Sequence, residues 1–206
     1  MNISSLTRKE RDKQLRKTDL LSAAEHLFAL KGYDRATMQD IAREAQYATG
    51  TAYLYFKDKE SLYFSLLEEK ISGMMSVIKE RTSSAKNAKE ELGILIYESL
   101  VFFENNQDFF HIFVSETSKF RWVIDSKINA SELMLEHMNY LADIIRKAQR
   151  QRIIRSDFKA EHVADIFTAI LSTVIVDLLK EKSGCFKELK NISDYIFDLF
   201  MNGVKA

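Results

Sequence analysis

The sequence contains no proline, one cysteine and only six glycines among 206 residues. Turn-rich β-sandwiches and barrels place proline and glycine at their chain reversals, so this composition favours an all-helical protein. A single cysteine, Cys185, excludes an intramolecular disulfide and a cysteine-rich metal site. The four histidines lie far apart without metal-ligand spacing, so no metal site is predicted.

Several signals of location and catalysis are also missing. The N-terminus lacks the apolar core of a signal peptide and no run of 18 apolar residues occurs, so we expect a soluble, cytoplasmic protein that does not bind membranes. The sequence has no Walker loop, no Gly-x-Ser-x-Gly, no His-Glu-x-x-His and no dinucleotide fingerprint. We therefore predict neither an enzymatic activity nor a cofactor.

The formal net charge is zero, so bulk electrostatics does not suggest a nucleic-acid partner. The charge is unevenly distributed, however, because residues 1–17 hold six bases against two acids. Such an arm is commonly a solvated tail, and beside a DNA-contacting helix it becomes a plausible phosphate contact.

Helical periodicity runs through almost the whole chain and predicts about nine helices. Gly32 is placed to cap the first helix, and Thr37 with Asp40 forms a capping-box pattern before the second. Asp58 is a good N-cap for a long fourth helix. The first helix is predicted at 18–31, two short ones within 37–56, and later ones at 90–105, 108–120, 127–151, 159–182 and 186–204.

Residues 37–59 predict two short helices joined by a tight turn. Close packing of the two requires small side chains, which Ala42, Ala45, Gly50 and Ala52 supply. The second helix carries groups that can hydrogen-bond phosphates or base edges, namely Thr49, Thr51, Tyr53, Tyr55 and the following Lys59. Since residues 53 and 55 lie about 200° apart around a helix, at least one of the tyrosines must face outward.

This stretch resembles the TetR/AcrR family of bacterial one-component transcriptional regulators over roughly residues 17–66. The resemblance rests on Gly32-Tyr33, Thr37 to Ala42, Ala45, Gly50 to Phe56 and Lys59 to Leu62. It implies a three-helix helix-turn-helix DNA-binding domain, assigned to residues 1–60. It also implies a larger helical bundle for ligand binding and dimerisation, assigned to residues 61–206.

Carried over to this chain, the family pattern implies a role for each matching side chain. Thr37 would contact phosphate, Thr49 and Thr51 would approach the groove, Tyr53 and Tyr55 would hold the DNA backbone, and Lys59 would pair with phosphate. A structural role stays open for some of them. Thr37 also fits a helix cap, one tyrosine also fits the core, and Lys59 also fits a solvated surface.

The chain departs from the family at Gln46-Tyr47-Ala48, where Gly-Val-Ser is usual. Either Gln46 adopts the backbone conformation that glycine favours, or the turn differs. Ala48 cannot cap the recognition helix, which costs about 1 kcal/mol. Gln46 and Tyr47 are themselves candidate DNA contacts.

The last two helices are the candidate dimer interface, because the resemblance implies a homodimer formed largely through them. Residues 159–182 are apolar over so wide an arc that both sides must be covered. A dimer would hold two recognition helices roughly 34 Å apart, on the half-sites of a palindromic DNA operator. The candidate interface residues are Phe167, Ile170, Leu171, Val174, Leu178, Ile196 and Phe200.

Aromatic side chains cluster in the middle helices, either as ordinary core or as the wall of the apolar ligand pocket that the family keeps there. Asp177 falls on an apolar stripe, where it fits a ligand cation, a dimer contact or a rim position. The candidate ligand-binding residues are Phe102, Phe103, Phe110, Phe113, Trp122 and Asp177.

Residues 54–71 and 146–158 also look similar to the fatty-acid-responsive branch of the family. That likeness implies an acyl-CoA or fatty-acid effector, with Arg121, Lys127 or Arg146 near its phosphates. A drug-like apolar cation is the alternative effector.

We therefore expect a dimeric, ligand-released repressor in which the effector tilts the long fourth helix. The alternatives are a DNA-binding family member without an effector, and a helical interaction module whose DNA face has decayed.

Overall fold

The computed structural model describes residues 7–107, 132–180 and 188–204, and within these ranges it contains helices and no strand. The prediction of an all-α fold is confirmed. The helix predicted at 108–120 lies outside the described residues. The eight described helices are α1 (Arg8–Lys31), α2 (Met38–Glu44), α3 (Thr49–Tyr55), α4 (Lys59–Thr82), α5 (Ala88–Asn105), α6 (Glu132–Arg150), α7 (Ala160–Lys180) and α8 (Leu189–Val204).

Helix α1 begins ten residues before its predicted start because a capping box closes its N-terminus. The Thr7 hydroxyl accepts a hydrogen bond from the Glu10 amide at 3.3 Å, and the Glu10 carboxylate accepts one from the Thr7 amide at 2.8 Å. The hydrogen bonds that the Thr7 amide and hydroxyl donate to this carboxylate hold the pKa of Glu10 below its usual value. At the other end Gly32 caps α1 with φ 82°, as the sequence predicts.

The chain forms two compact units, Met1–Lys70 and Ile71–Ala206, and their boundary falls inside α4. In the first unit, apolar side chains of all four helices are buried together. The rings of Phe28, Tyr33 and Tyr63 form a mutually tilted cluster with centroids 5.3–6.0 Å apart. The rest of this core is Leu20, Leu21, Ala24, Ile41, Ala42, Ala52, Leu62 and Leu66.

In the second unit α6 packs on α7, and α5 packs on α8. Its core joins Phe167 of α7 to Phe200 of α8, whose rings meet edge to face with centroids 4.9 Å apart. None of the helices in the described ranges has the length and apolar character needed to cross a bilayer.

Candidate DNA-binding site

The N-terminus of α2 is closed by Thr37, whose side chain is committed to the cap. Its hydroxyl accepts from the Asp40 amide at 3.1 Å and donates to the Asp40 carboxylate at 2.8 Å. That carboxylate also binds Lys31 at 2.6 Å and Arg43 at 2.9 Å. The hydrogen bonds from Lys31 and Thr37 lower the pKa of Asp40 to about 2. Thr37 is therefore a helix cap, and its phosphate contact stays a prediction.

The turn between α2 and α3 requires a left-handed residue, and Gln46 occupies that position with φ 61°. The Tyr47 amide donates to the Ala42 carbonyl at 2.8 Å and the Gln46 amide donates to the Arg43 carbonyl at 3.0 Å. These two bonds define a Schellman motif, which usually places glycine at the left-handed residue. Gln46 thus adopts the conformation that glycine favours, and its exposed side chain remains a candidate DNA contact.

Tyr47 contacts α1 in this structure, and its DNA contact stays a prediction. Its hydroxyl donates to the Asp19 carboxylate of α1 at 2.7 Å, and the Arg16 guanidinium lies 5.9 Å from its ring centroid. The hydrogen bond to Asp19 raises the pKa of Tyr47. The half-buried Tyr47 therefore fixes the start of α3 against α1.

Ala48 is the N-cap of α3 and makes no side-chain hydrogen bond to the helix, as the sequence predicts. Ala52 is fully buried on its inner face, whereas Tyr53 is 53% exposed. Thr49, Thr51 and Tyr55 are half-buried along its sides. Tyr53 is therefore the more outward of the two tyrosines, and Thr51 lies beside the outer face.

The outer face of α3 carries Gly50, whose position differs from the predicted one, and Leu54, to which no role was assigned. Gly50 was expected between the packed helices but is exposed, whereas Ala42 and Ala52 are the small residues buried there. Leu54, which sequence reasoning missed, is 83% exposed. Residues 50 and 54 lie about 160–200° around the helix from Ala52. Had Ala52 been identified as buried, the outward position of both residues could have been predicted.

Lys59 holds the turn between α1 and α2 instead of pointing away from the protein. Its ammonium group donates to the carbonyls of Tyr33 at 2.7 Å, Asp34 at 3.2 Å and Ala36 at 2.8 Å, and lies 4.2 Å from the Tyr33 ring centroid. A lysine ammonium has three hydrogens, so these bonds use all its donors. In this conformation no hydrogen of Lys59 is left for phosphate, and its phosphate contact stays a prediction.

The candidate ligand-binding residues are only partly within the described ranges. Phe102 and Phe103 are half-buried near the end of α5 with perpendicular rings 6.3 Å apart. Phe110, Phe113 and Trp122 lie outside the described residues, as do Arg121 and Lys127. Asp177 is exposed, which fits the rim position and not a buried acid facing a ligand cation. Arg146 pairs with Glu161 and Asp143 through its two terminal nitrogens, and these ion pairs raise its pKa.

The candidate dimer residues divide between core and surface. Phe167, Ile196 and Phe200 are each 1% exposed within a single chain and Leu171 is nearly buried, so their assignment to a partner-contacting surface was wrong. Ile170, Val174 and Leu178 are half-buried on α7. The outward apolar side chains of the two helices are instead Ile166, Tyr195 and Leu199.

A sequence profile for bacterial regulatory proteins of the tetR family matches residues 20–66, the segment that carries α2 and α3. The fatty acid metabolism regulator protein of Bacillus subtilis is 25% identical over 186 residues, which are 90% of this chain and 93% of that protein. The uncharacterised helix-turn-helix regulator YvdT of B. subtilis is 30% identical over 130 residues, 63% of this chain and 64% of that protein.

Solved structures with the same fold cover nearly the whole chain. The fatty acid degradation regulator FadR from Bacillus halodurans has a TM-score of 0.78 at 20% identity, covering 90% of this chain and 94% of its own. The regulator FadR from B. subtilis in complex with stearoyl-CoA has a TM-score of 0.77 at 21% identity, covering 91% of this chain and 98% of its own.

The turn geometry, the outward face of α3, the matching profile and the regulators named among the relatives agree with one another. The chain belongs to the tetR family of bacterial regulatory proteins and is a DNA-binding transcriptional regulator, not an enzyme.

Proposed function

We propose that this regulator is a homodimeric repressor that binds a palindromic operator through α3 and is released by a long-chain acyl-CoA or fatty acid. The observation that carries this proposal is the likeness over 90% of the chain to the fatty acid metabolism regulator of B. subtilis. A fold neighbour of the same kind was solved with stearoyl-CoA, which supports the chemical class of the effector. Its place of action would be the cytoplasm, where the operator DNA is.

The described residues of the second unit are consistent with an apolar effector near α5. Phe102 and Phe103 offer aromatic surface that is neither fully buried nor fully exposed. The groove of about 350 Å³ between α5 and α8 is a poor site for an acyl chain, because lysines and acids such as Lys89, Glu90, Lys190 and Asp194 line it. We therefore assign the effector to the phenylalanine-rich middle segment, with Phe110, Phe113 and Trp122 as further candidates.

Release of the operator would proceed through α4, because this helix supplies residues to both compact units. An effector can weaken operator binding only if it binds more tightly to the conformation that fits the operator poorly. By linkage, the operator must then weaken effector binding by the same factor.

The effector is tested with stearoyl-CoA, free coenzyme A, stearate and a lipophilic cation, each added to the full-length protein. Stearoyl-CoA should raise the melting temperature and lower the affinity for an operator obtained by in-vitro selection from random duplexes. Free coenzyme A should do neither. Operator binding that saturating stearoyl-CoA and stearate leave unchanged would exclude the fatty-acyl effector. Release by the lipophilic cation alone would indicate the drug-like class.

A further inference from the structure

Gly50 lies on the outermost ridge of α3 without a reason inside the protein to be glycine. Its φ is not in the left-handed region, and a Cβ built on it would meet no heavy atom within 4 Å in the part of the chain that the structure describes. Glycine inside a helix lowers stability relative to alanine. Neither backbone conformation nor packing therefore accounts for this glycine.

Leu54 lies one helical turn from Gly50 on the same ridge, because residues four apart share a face of a helix. It is the most exposed of the large apolar side chains in the described ranges, at 83%. A single exposed leucine is ordinary on a protein surface. Here, however, it projects from the helix that carries the DNA-binding function, directly opposite the buried Ala52.

We propose that Gly50 and Leu54 form the base-contact ridge of α3. Gly50 lets the helix backbone approach the floor of the major groove, and Leu54 packs against the 5-methyl groups of thymine. This inference rests on the proposed operator binding through α3. The occupant is duplex DNA because the ridge continues the helix-turn-helix surface of the family.

The chemistry of the groove specifies what Leu54 can recognise. Each base pair presents hydrogen-bond donors and acceptors in the major groove, and only thymine adds an apolar methyl group. Leucine has no donor or acceptor, so it can distinguish bases only through that methyl group. Thr51 and Tyr53 flank the ridge and remain available for phosphates or base edges. The operator half-site should therefore contain thymine where Leu54 contacts it.

The role of Gly50 is tested by comparing Gly50→Ala with Gly73→Ala in the full-length protein. Gly73 is the matched control, because it is an exposed helical glycine of α4 whose added Cβ also meets no atom within 4 Å. Both variants should raise the melting temperature, by about 2 °C. Only Gly50→Ala should weaken operator binding, by about tenfold or more, as expected for a lost base contact.

The role of Leu54 is tested by replacing each thymine of the selected operator with deoxyuridine, which removes only the methyl group. At one position in a single half-site, this change should weaken wild-type binding about fourfold, the effect of exposing one buried methyl-sized group. The Leu54→Ala variant should bind the unmodified operator more weakly. It should lose no further affinity when the deoxyuridine is introduced.

A failure of operator binding can be distinguished from a failure of the roles given to Gly50 and Leu54. If the wild-type protein selects no operator and binds no duplex at low salt, operator binding itself fails. If the wild type binds but Gly50→Ala binds equally well, or Gly50→Ala is destabilised, Gly50 has another role and the ridge is rejected. A deoxyuridine effect that is the same in wild type and Leu54→Ala rejects thymine recognition by Leu54.

Discussion

At the scale of single residues, the turn before α3 places a non-glycine residue in a backbone conformation that favours glycine. Gln46 holds a left-handed φ of 61° inside a Schellman motif, and Arg152 holds φ 57° in the same kind of motif after α6. A non-glycine residue in this conformation costs about 1 kcal/mol or more. Both positions therefore carry backbone strain that hydrogen bonding within the motif offsets.

Replacing Gln46 by glycine should increase the free energy of unfolding by about 0.5–1 kcal/mol. Relief of the left-handed strain outweighs the larger conformational entropy of glycine in the unfolded chain. Urea denaturation would measure the change. Gln39→Gly, at an exposed helical position of α2, is the control and should instead lower stability. A Gln46→Gly variant less stable than wild type would contradict the expectation.

Adding a hydroxyl at Ala48 should stabilise the start of α3. This N-cap makes no side-chain hydrogen bond, and serine at such a position contributes about 1 kcal/mol. Ala48→Ser should therefore raise the urea midpoint with an unchanged slope. Thr37→Ala removes the corresponding cap from α2 and should lower the midpoint by a similar amount. An Ala48→Ser variant no more stable than wild type would show that the amides are already satisfied.

At the scale of helices, long-range side-chain contacts fix how the elements of each unit join. Lys59 at the start of α4 bonds the turn between α1 and α2, and Tyr47 bonds α1 from the turn before α3. In the second unit, Lys79 of α4 binds Glu136 of α6. Lys59 and Tyr47 each connect positions more than twenty residues apart, so no local pattern indicates them.

Lys59→Met should lower the free energy of unfolding by about 1–2 kcal/mol, because three carbonyls lose a partly exposed charged donor. The salt dependence of operator binding should not change, since Lys59 has no hydrogen left for phosphate. Lys57→Met, an exposed neighbour, should alter stability by less than about 0.5 kcal/mol. A decrease of about 0.9 per protomer in the salt slope of Lys59→Met would instead show a phosphate contact.

The packing of α6 on α4 should give stability a dependence on pH. Burial, and then the charge of Lys79, lower the pKa of the half-buried His137. Its folded pKa therefore lies below the unfolded value of about 6.5. As the pH falls below that value, the unfolded chain binds the proton first, and the stability that is present at higher pH is lost.

Thermal unfolding between pH 7.5 and 5.5 would check this dependence. The His137→Gln variant should lose the decrease that the wild type shows on acidification. His162→Gln, at an exposed position of α7, should keep it. Identical pH profiles for His137→Gln and wild type would assign the effect to another group.

These examples show which parts of the fold the sequence could predict. The Thr37 and Asp40 cap, the Gly32 terminus and the uncapped Ala48 depend on residues within four positions of each other, and all three were predictable. The outward position of Leu54 depends on which side of α3 is buried. The burial of Phe167 and Phe200 depends on the pairing of α7 with α8. Apolar periodicity alone cannot separate a face that covers its own chain from one that covers a partner.

At the scale of the whole molecule, the proposed dimer should depend on the outward apolar side chains of α7 and α8. Ile166 is 54% exposed and Tyr195 is 64% exposed in the single chain. A charge at either position would be buried and unpaired in a dimer interface, which is strongly unfavourable.

The double variant Ile166→Glu and Tyr195→Glu should have the mass of one 23.9 kDa chain in light scattering after gel filtration. The wild type should have twice that mass, and the variant should bind a palindromic operator far more weakly. Leu135→Glu is the control, because Leu135 of α6 is also 54% exposed. A double variant with the wild-type mass would place the interface elsewhere.

The capped but unpacked beginning of α1 has a consequence for the handling of this regulator. Every side chain from Thr7 to Arg16 is exposed, and core burial starts only at Leu20. Exposed helical turns with few tertiary contacts open at little cost in free energy, and this stretch carries lysines and arginines at close intervals. Trypsin should therefore cut first within this exposed stretch of the first unit, up to about Lys17, before it cuts the helices that carry the core. The shortened product should stay folded, and bound duplex should slow the trimming if this helical extension lies against phosphates.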